Sequence, residues 1–177
     1  MLLSASVAYG DKYSDTVELF RNAGESAEFF RNCYGYAVFP TVGKGGLGIG
    51  AARGSGRVYR GGAYVGDSTM TQLSIGFQAG GQAYSQIILF ENRQAFEMFT
   101  SGTFEFGADV GAVVITAAAS AKAGTTGASA GASGGRKDAT TAGRYYKGLA
   151  VFTIVKGGAM YEVSVAGQKF SYKPRAS

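Results

Sequence analysis

The chain has 177 residues, a formal net charge of +5, 29 glycines, 2 prolines, one cysteine and no histidine. Its length suits one domain with a real core, and a glycine share well above the usual ~7%, with so little proline and no triplet period, excludes collagen and points to tight turns, bulges and close backbone contacts. A lone Cys33 excludes an intrachain disulfide, and the missing histidine removes the commonest general base and metal ligand.

The charge is uneven. Acids outnumber bases up to Tyr34, whereas from Ala112 onward the only acids among the many Lys and Arg are Asp138 and Glu162. Such a basic surface suits an anionic partner. The start, Met1 to Ala8, is too short to span a membrane. Ser6-Val7-Ala8 has the small-x-small form of a signal cleavage site, so residues 1–10 are read as a leader or signal remnant and 11–177 as one domain.

Apolar residues at three- and four-residue steps (Val17, Phe20, Gly24, Ala27, Phe29 or Phe30) predict a helix over about Lys12–Asn32. Ser14 is its expected N-cap and Gly35 its stop; a cysteine on such a helix face reads as a small buried apolar residue. Tyr36–Pro40 reads as a short strand ended by proline. Between Gly43 and Gly66, glycines interleave with Leu47, Ile49, Val58 and Tyr59, with turns expected at Gly54-Ser55-Gly56 and Gly61-Gly62. Met70–Phe77 and Gln82–Phe90 read as strands around a Gly80-Gly81 turn. Asn92 is placed to cap a short helix ending at Gly102, and Thr103–Thr116 follows as a strand. Residues 117–143, almost wholly Ala, Gly, Ser and Thr, are expected to form a flexible loop. Leu149–Val155, a Gly157-Gly158 turn, Ala159–Val165 and a last strand at Lys169–Tyr172 complete the chain. The expected fold is α+β: a strand-dominated, mainly antiparallel curved or barrel-like sheet, one long N-terminal helix and one or two short ones.

Gly43-x-Gly45-x-x-Gly48, with Asp67 downstream, fits a dinucleotide fingerprint in spelling only, because more glycines follow where a helix must begin. Glu91, Glu97, Glu105 and Asp109 form no recognisable catalytic spacing, and no metal-ligand cluster is visible. The chain therefore reads as a non-enzymatic binding domain without cofactor, metal or catalytic residues. Its aromatics are spaced like strand-core residues rather than a stacking platform, so nucleic acid is not an expected partner. Two basic groups remain as candidate lipid-binding residues: Lys44, Arg53, Arg57 and Arg60, and Arg136, Lys137, Arg144 and Lys147. Both are expected in or beside turns, where cations project outward and glycine-lined backbone exposes N–H groups to phosphate.

These residues also carry a likeness. Tyr36-Ala37-Val38-Phe39-Pro40-Thr41-Val42-Gly43-Lys44-Gly45-Gly46-Leu47-Gly48-Ile49-Gly50-Ala51-Ala52-Arg53-Gly54-Ser55-Gly56 resembles the opening of the SYLF domain. Ser74-Ile75-Gly76-Phe77-Gln78-Ala79-Gly80-Gly81 is similar to its central Gly-x-Gln-x-Gly element. Lys147-Gly148-Leu149, Gly157-Gly158 and Gly167-Gln168-Lys169-Phe170-Ser171-Tyr172 resemble its later parts. The resemblance implies a lipid-binding module: eukaryotic members bind phosphoinositides, yeast actin-patch members also bind actin, and bacterial members are mostly exported. The expected partner is an anionic phospholipid surface, with actin or another protein as the alternative. The expected location is periplasmic or secreted for a bacterial chain, and otherwise cytoplasmic at a membrane.

Overall fold

In the computed structural model, which describes residues 11–44, 51–72, 83–107, 109–115, 145–155 and 165–175, the expected long helix is three pieces. Helix α1 spans Lys12–Asn22, α2 spans Gly24–Ala27, and a 3-10 turn covers Glu28–Arg31. The N-cap is Asp11 rather than Ser14: its Oδ1 accepts the amides of Tyr13 at 2.9 Å and Ser14 at 3.3 Å, satisfying donors that the first helical turn leaves unpaired. Ala23 breaks the helix with extended backbone. The Phe20 carbonyl there accepts from the Ala23 amide at 3.3 Å and the buried Ser26 hydroxyl at 2.6 Å. Gly35 does not stop the helix but opens the first strand. Cys33 follows the 3-10 turn and is half-buried and free.

The strands are β1 (Gly35–Lys44), β2 (Ala52–Arg60), β3 (Ala63–Gln72), β4 (Tyr84–Phe90), β5 (Phe104–Glu105), β6 (Val113–Ile115), β7 (Leu149–Val155), β8 (Lys169–Phe170) and β9 (Lys173–Pro174); α3 (Arg93–Phe99) lies between β4 and β5. They form one sheet ordered β5-β8-β3-β2-β1-β4-β7-β6, with β9 also on β3. Among the described strands the pairings are antiparallel except β6 with β7.

Several local expectations change. Pro40 does not end β1. The strand runs through it, and the register slips between Val38 and Val42 against β2, and between Phe39 and Val42 against β4, a bulge that absorbs the missing amide. The buried Ser85 hydroxyl donates to the Pro40 carbonyl at 2.8 Å. Gly54-Ser55-Gly56 is strand interior, not a turn. A Cβ on Gly56 would lie 2.5 Å from the Phe39 ring, so the glycine is there to admit that ring. Gly61-Gly62 does form the β2–β3 hairpin, with φ of 59° and 87°, the double positive φ that a tight primed turn requires. β3 begins at Ala63, earlier than alternation from Met70 suggested. Thr103–Thr116 splits into the short β5 and β6, and the last strand divides into β8 and β9. The strand from Ala159, the Gly80-Gly81 turn and the 117–143 loop lie outside the described residues.

The sheet curls into a half-barrel. The Phe39 ring on β1 meets the Phe170 ring on β8 at 5.6 Å, although β2 and β3 lie between them. A flat sheet would separate those strands by roughly 14 Å. The concave side is packed with Phe39, Phe90, Phe99, Phe106 and Phe170 and closed by α3, which Asn92 caps by accepting the Ala95 amide at 2.9 Å. On the convex side, α1 and the 3-10 turn bury Val17, Phe20 and Phe29 against Tyr36, Val38, Ile87, Leu89 and Phe152. The central strands β4 and β7 are buried at every position. They are covered on both faces, so they read as unbroken apolar runs instead of alternating ones.

Candidate anion-binding face

The helices cover only part of the convex surface. They pack over β1 and β4, and among the described residues no helix packs comparably over β2, β3, β8 and β9. Antiparallel partners point to the same side of a sheet, so the register locates the side chains of the open area. One row runs Arg53–Thr71–Lys169, continuing to Glu105 on β5. In the next row, Ser55 pairs with Thr69, and Ser171 binds Thr69 through both backbone and hydroxyl. The third row is Arg57–Asp67–Lys173.

The first two rows enclose a shallow concavity of about 360 Å³ lined by Arg53, Thr69, Thr71, Gly102, Lys169, Phe170 and Ser171. It offers a guanidinium, an ammonium and hydroxyl donors, and no acid lines it among the described residues. Among the described residues no ion pair engages Arg53 or Lys169. This is the chemistry that holds an oxyanion: charge-assisted hydrogen bonds from a planar fork and a point charge, supplemented by neutral donors.

The third row is different in kind. Arg57 pairs with Asp11 at 3.3 Å, and its guanidinium lies 4.2 Å from the Tyr13 ring centre and 4.5 Å from that of Tyr64. Tyr64 donates to Asp67 at 2.6 Å, and Arg175 covers the same ring at 4.4 Å. Arg57 is thus held between two rings and a carboxylate while its side chain stays partly exposed.

The sequence-derived basic residues are therefore dispersed. Arg53 and Arg57 stand within β2, not in turns, because the glycines around them are strand glycines. Arg60 ends β2 beside the hairpin, with its guanidinium 5.7 Å from the Phe96 ring, on the side of the concave core. Lys44 ends β1, in register with Ala52. Arg136, Lys137 and Arg144 lie outside the described residues. Lys147 does sit in a turn, at φ 55°, and its ammonium binds Asp109 at 2.8 Å. Asp109 also accepts the Tyr146 hydroxyl at 2.6 Å. These two donors hold its carboxyl down at about 2.

Sequence reasoning missed Lys169, Ser171 and Lys173. Their signal was the alternation Lys169-Phe170-Ser171-Tyr172-Lys173, polar outward and aromatic inward, which reads as one edge segment with a cationic face. Among the described residues no helix is long and apolar enough to cross a membrane.

Two comparisons with known proteins place the chain among relatives. Residues 71–176 match the family model Ysc84, described as Las17-binding protein actin regulator. The chain is also 26% identical over 157 residues to Beta cell expansion factor A of Aeromonas veronii, an alignment covering 87% of this chain and 51% of that protein. The chain thus spans about half the length of the curated relative it matches.

Proposed function

We propose that this chain, which belongs to the Ysc84 (SYLF-domain) family, associates peripherally with anionic phospholipid surfaces through the open convex face of its half-barrel. The observation that carries the reading is the concavity between Arg53 and Lys169, with Thr69, Thr71 and Ser171 beside them and no acid among the described lining residues. A lipid phosphate placed there meets two charges and several neutral donors. Each Lys or Arg near an anionic membrane contributes about 1 kcal/mol, so the pair contributes roughly 2 kcal/mol, about thirtyfold in affinity. That magnitude suits reversible, salt-sensitive binding. The reading assigns no reaction to the chain.

The test is sedimentation with phosphatidylcholine vesicles, with and without phosphatidylserine, at low and at physiological salt. Anionic vesicles are expected to recruit the protein at low salt, and the double variant R53A/K169A to lose most of that recruitment. Equal partition onto neutral and anionic vesicles at low salt would falsify the proposal.

A second reading is an actin- or protein-binding module, supported by the family's description as an actin regulator. Co-pelleting with actin filaments at physiological salt decides it. Ser6-Val7-Ala8 supports export to the periplasm or medium, which fractionation of the source cells would test.

A further inference from the structure

We infer that Asp11 is an internal counter-ion of the convex basic face, and that it competes with external anions for Arg57. The inference rests on the proposed anion-binding role of that face and adds its regulation.

The geometry gives one carboxylate two tasks. Oδ1 of Asp11 caps α1 through the amides of Tyr13 and Ser14. Oδ2 lies 3.3 Å from Nη1 of Arg57, across 46 residues of sequence. Neither side chain is deeply buried, at 29% exposure for Arg57 and 33% for Asp11, so water and ions reach the pair. Tyr13, two residues into the same segment, flanks the guanidinium, and Tyr64 contributes a second ring. The rings and the carboxylate together tie the start of α1 to β2.

Arg57 stands on the same face of β2 as Arg53, and its register partners Asp67 and Lys173 continue that face. An anion spreading over this surface therefore finds the Arg57 position already taken. It must either displace Asp11 or tolerate a carboxylate beside it. Both lower its affinity, and linkage makes the antagonism reciprocal: an anion on Arg57 loosens the N-terminus of α1 to the same extent that Asp11 opposes the anion. The cap itself need not be lost, because Oδ1 serves it separately.

Asp11→Asn separates the two tasks. Asn caps a helix about as well as Asp, so the fold is retained while the competing charge is removed. The control is Asp15→Asn, which changes net charge equally at an exposed position in the first turn of the same helix, outside the Arg57 cluster of Asp11, Tyr13 and Tyr64. On phosphatidylcholine–phosphatidylserine vesicles at low salt, D11N is expected to bind about fivefold more tightly than wild type, the equivalent of one cation's contribution, and D15N clearly less so. In an Arg57→Gln background the advantage of D11N over D15N is expected to vanish. Equal gains from D11N and D15N, or an advantage that persists in R57Q, overturn the inference.

A second arm uses inorganic phosphate and follows the amide signals of Tyr13 and Ser14 by NMR. Phosphate is expected to shift them in wild type, and half-saturation in D11N to fall at lower phosphate. No shift in wild type, or the same half-saturation in both, overturns the competition. Failure of all vesicle binding with a positive phosphate arm removes the membrane reading and leaves the Asp11 counter-ion in place.

Discussion

Gln86 on β4 and Gln168, just before β8, bond each other twice across the closed side of the half-barrel. Gln86 Nε2 donates to Gln168 Oε1 at 2.8 Å, and Gln168 Nε2 donates to Gln86 Oε1 at 3.1 Å and to the Tyr84 hydroxyl at 3.2 Å. Both glutamines are fully buried and 82 residues apart. Such a pair fixes how far the β8 segment folds over β4, because a shifted arrangement would leave amides buried without partners.

Replacing one member should therefore cost more than replacing both. Gln168→Leu leaves the Gln86 amide buried without this partner and is expected to destabilise by about 1–3 kcal/mol. The double variant Q86L/Q168L should recover part of that loss. Urea unfolding of the two single variants and the double gives the coupling. A strictly additive double would show that the pair does not act as a unit.

Thr153 offers the converse test. It pairs with Gln86 in the β4–β7 register, and its hydroxyl, fully buried, has no hydrogen-bond partner among the described residues. Thr153→Val removes an unsatisfied group at nearly constant shape. An increase of about 1 kcal/mol in unfolding free energy is expected, and a loss of stability would contradict the orphaned state.

The glycines divide by cause, and substitution separates the causes. Gly56→Ala forces a methyl against the Phe39 ring, at 2.5 Å, and the Val38 carbonyl, at 2.7 Å, inside the core; overpacking of this kind costs about 3 kcal/mol. At Gly61 no atom lies within 4 Å of an added Cβ, and only the φ of 59° resists substitution. Gly61→Ala should cost about 1 kcal/mol, and Gly61→Asn less, since Asn tolerates that backbone. Melting temperatures ordered G56A below G61A below G61N would agree with this division.

Asp109 makes a pH prediction. Its carboxyl titrates at about 2, held down first by Lys147 and then by Tyr146. A depressed native value means that this contact's contribution is complete above the unfolded carboxylate value, roughly 4, and is lost as pH falls through about 2. Carbon-detected NMR of the Asp109 carboxyl should give that midpoint in wild type. Lys147→Ala should move it up toward the ordinary carboxylate range.

The legible parts of the fold were those governed by local chemistry. Asn92 announced α3 because an N-cap needs only an oxygen and a nearby amide. Gly61-Gly62 announced its turn because both residues adopt positive φ. The apolar runs of β4 and β7 announced strands buried on both faces. Gly54 and Gly56 were misleading because a missing side chain serves a turn and a close approach equally well, and only Phe39, from another strand, distinguishes them. Pro40 was misread because the bulge that accommodates it belongs to the register with two neighbouring strands. At the candidate site, Arg53 was visible from its charge alone. Its partner Lys169 was not, since β3 brings them together from opposite halves of the chain, and nothing in the sequence linked Asp11 to Arg57.

The full burial of β4 and β7 also has a kinetic side. Before the sheet closes, Ile87-Ile88-Leu89-Phe90 and Leu149-Ala150-Val151-Phe152 are uncharged, proline-free runs of high strand propensity, the composition that self-associates most readily. They pair with each other from distant parts of the chain, and long-range antiparallel pairing is slow. The same centre that makes the finished half-barrel firm therefore exposes two sticky segments for the longest part of folding. Refolding yield should fall with protein concentration well before native stability does.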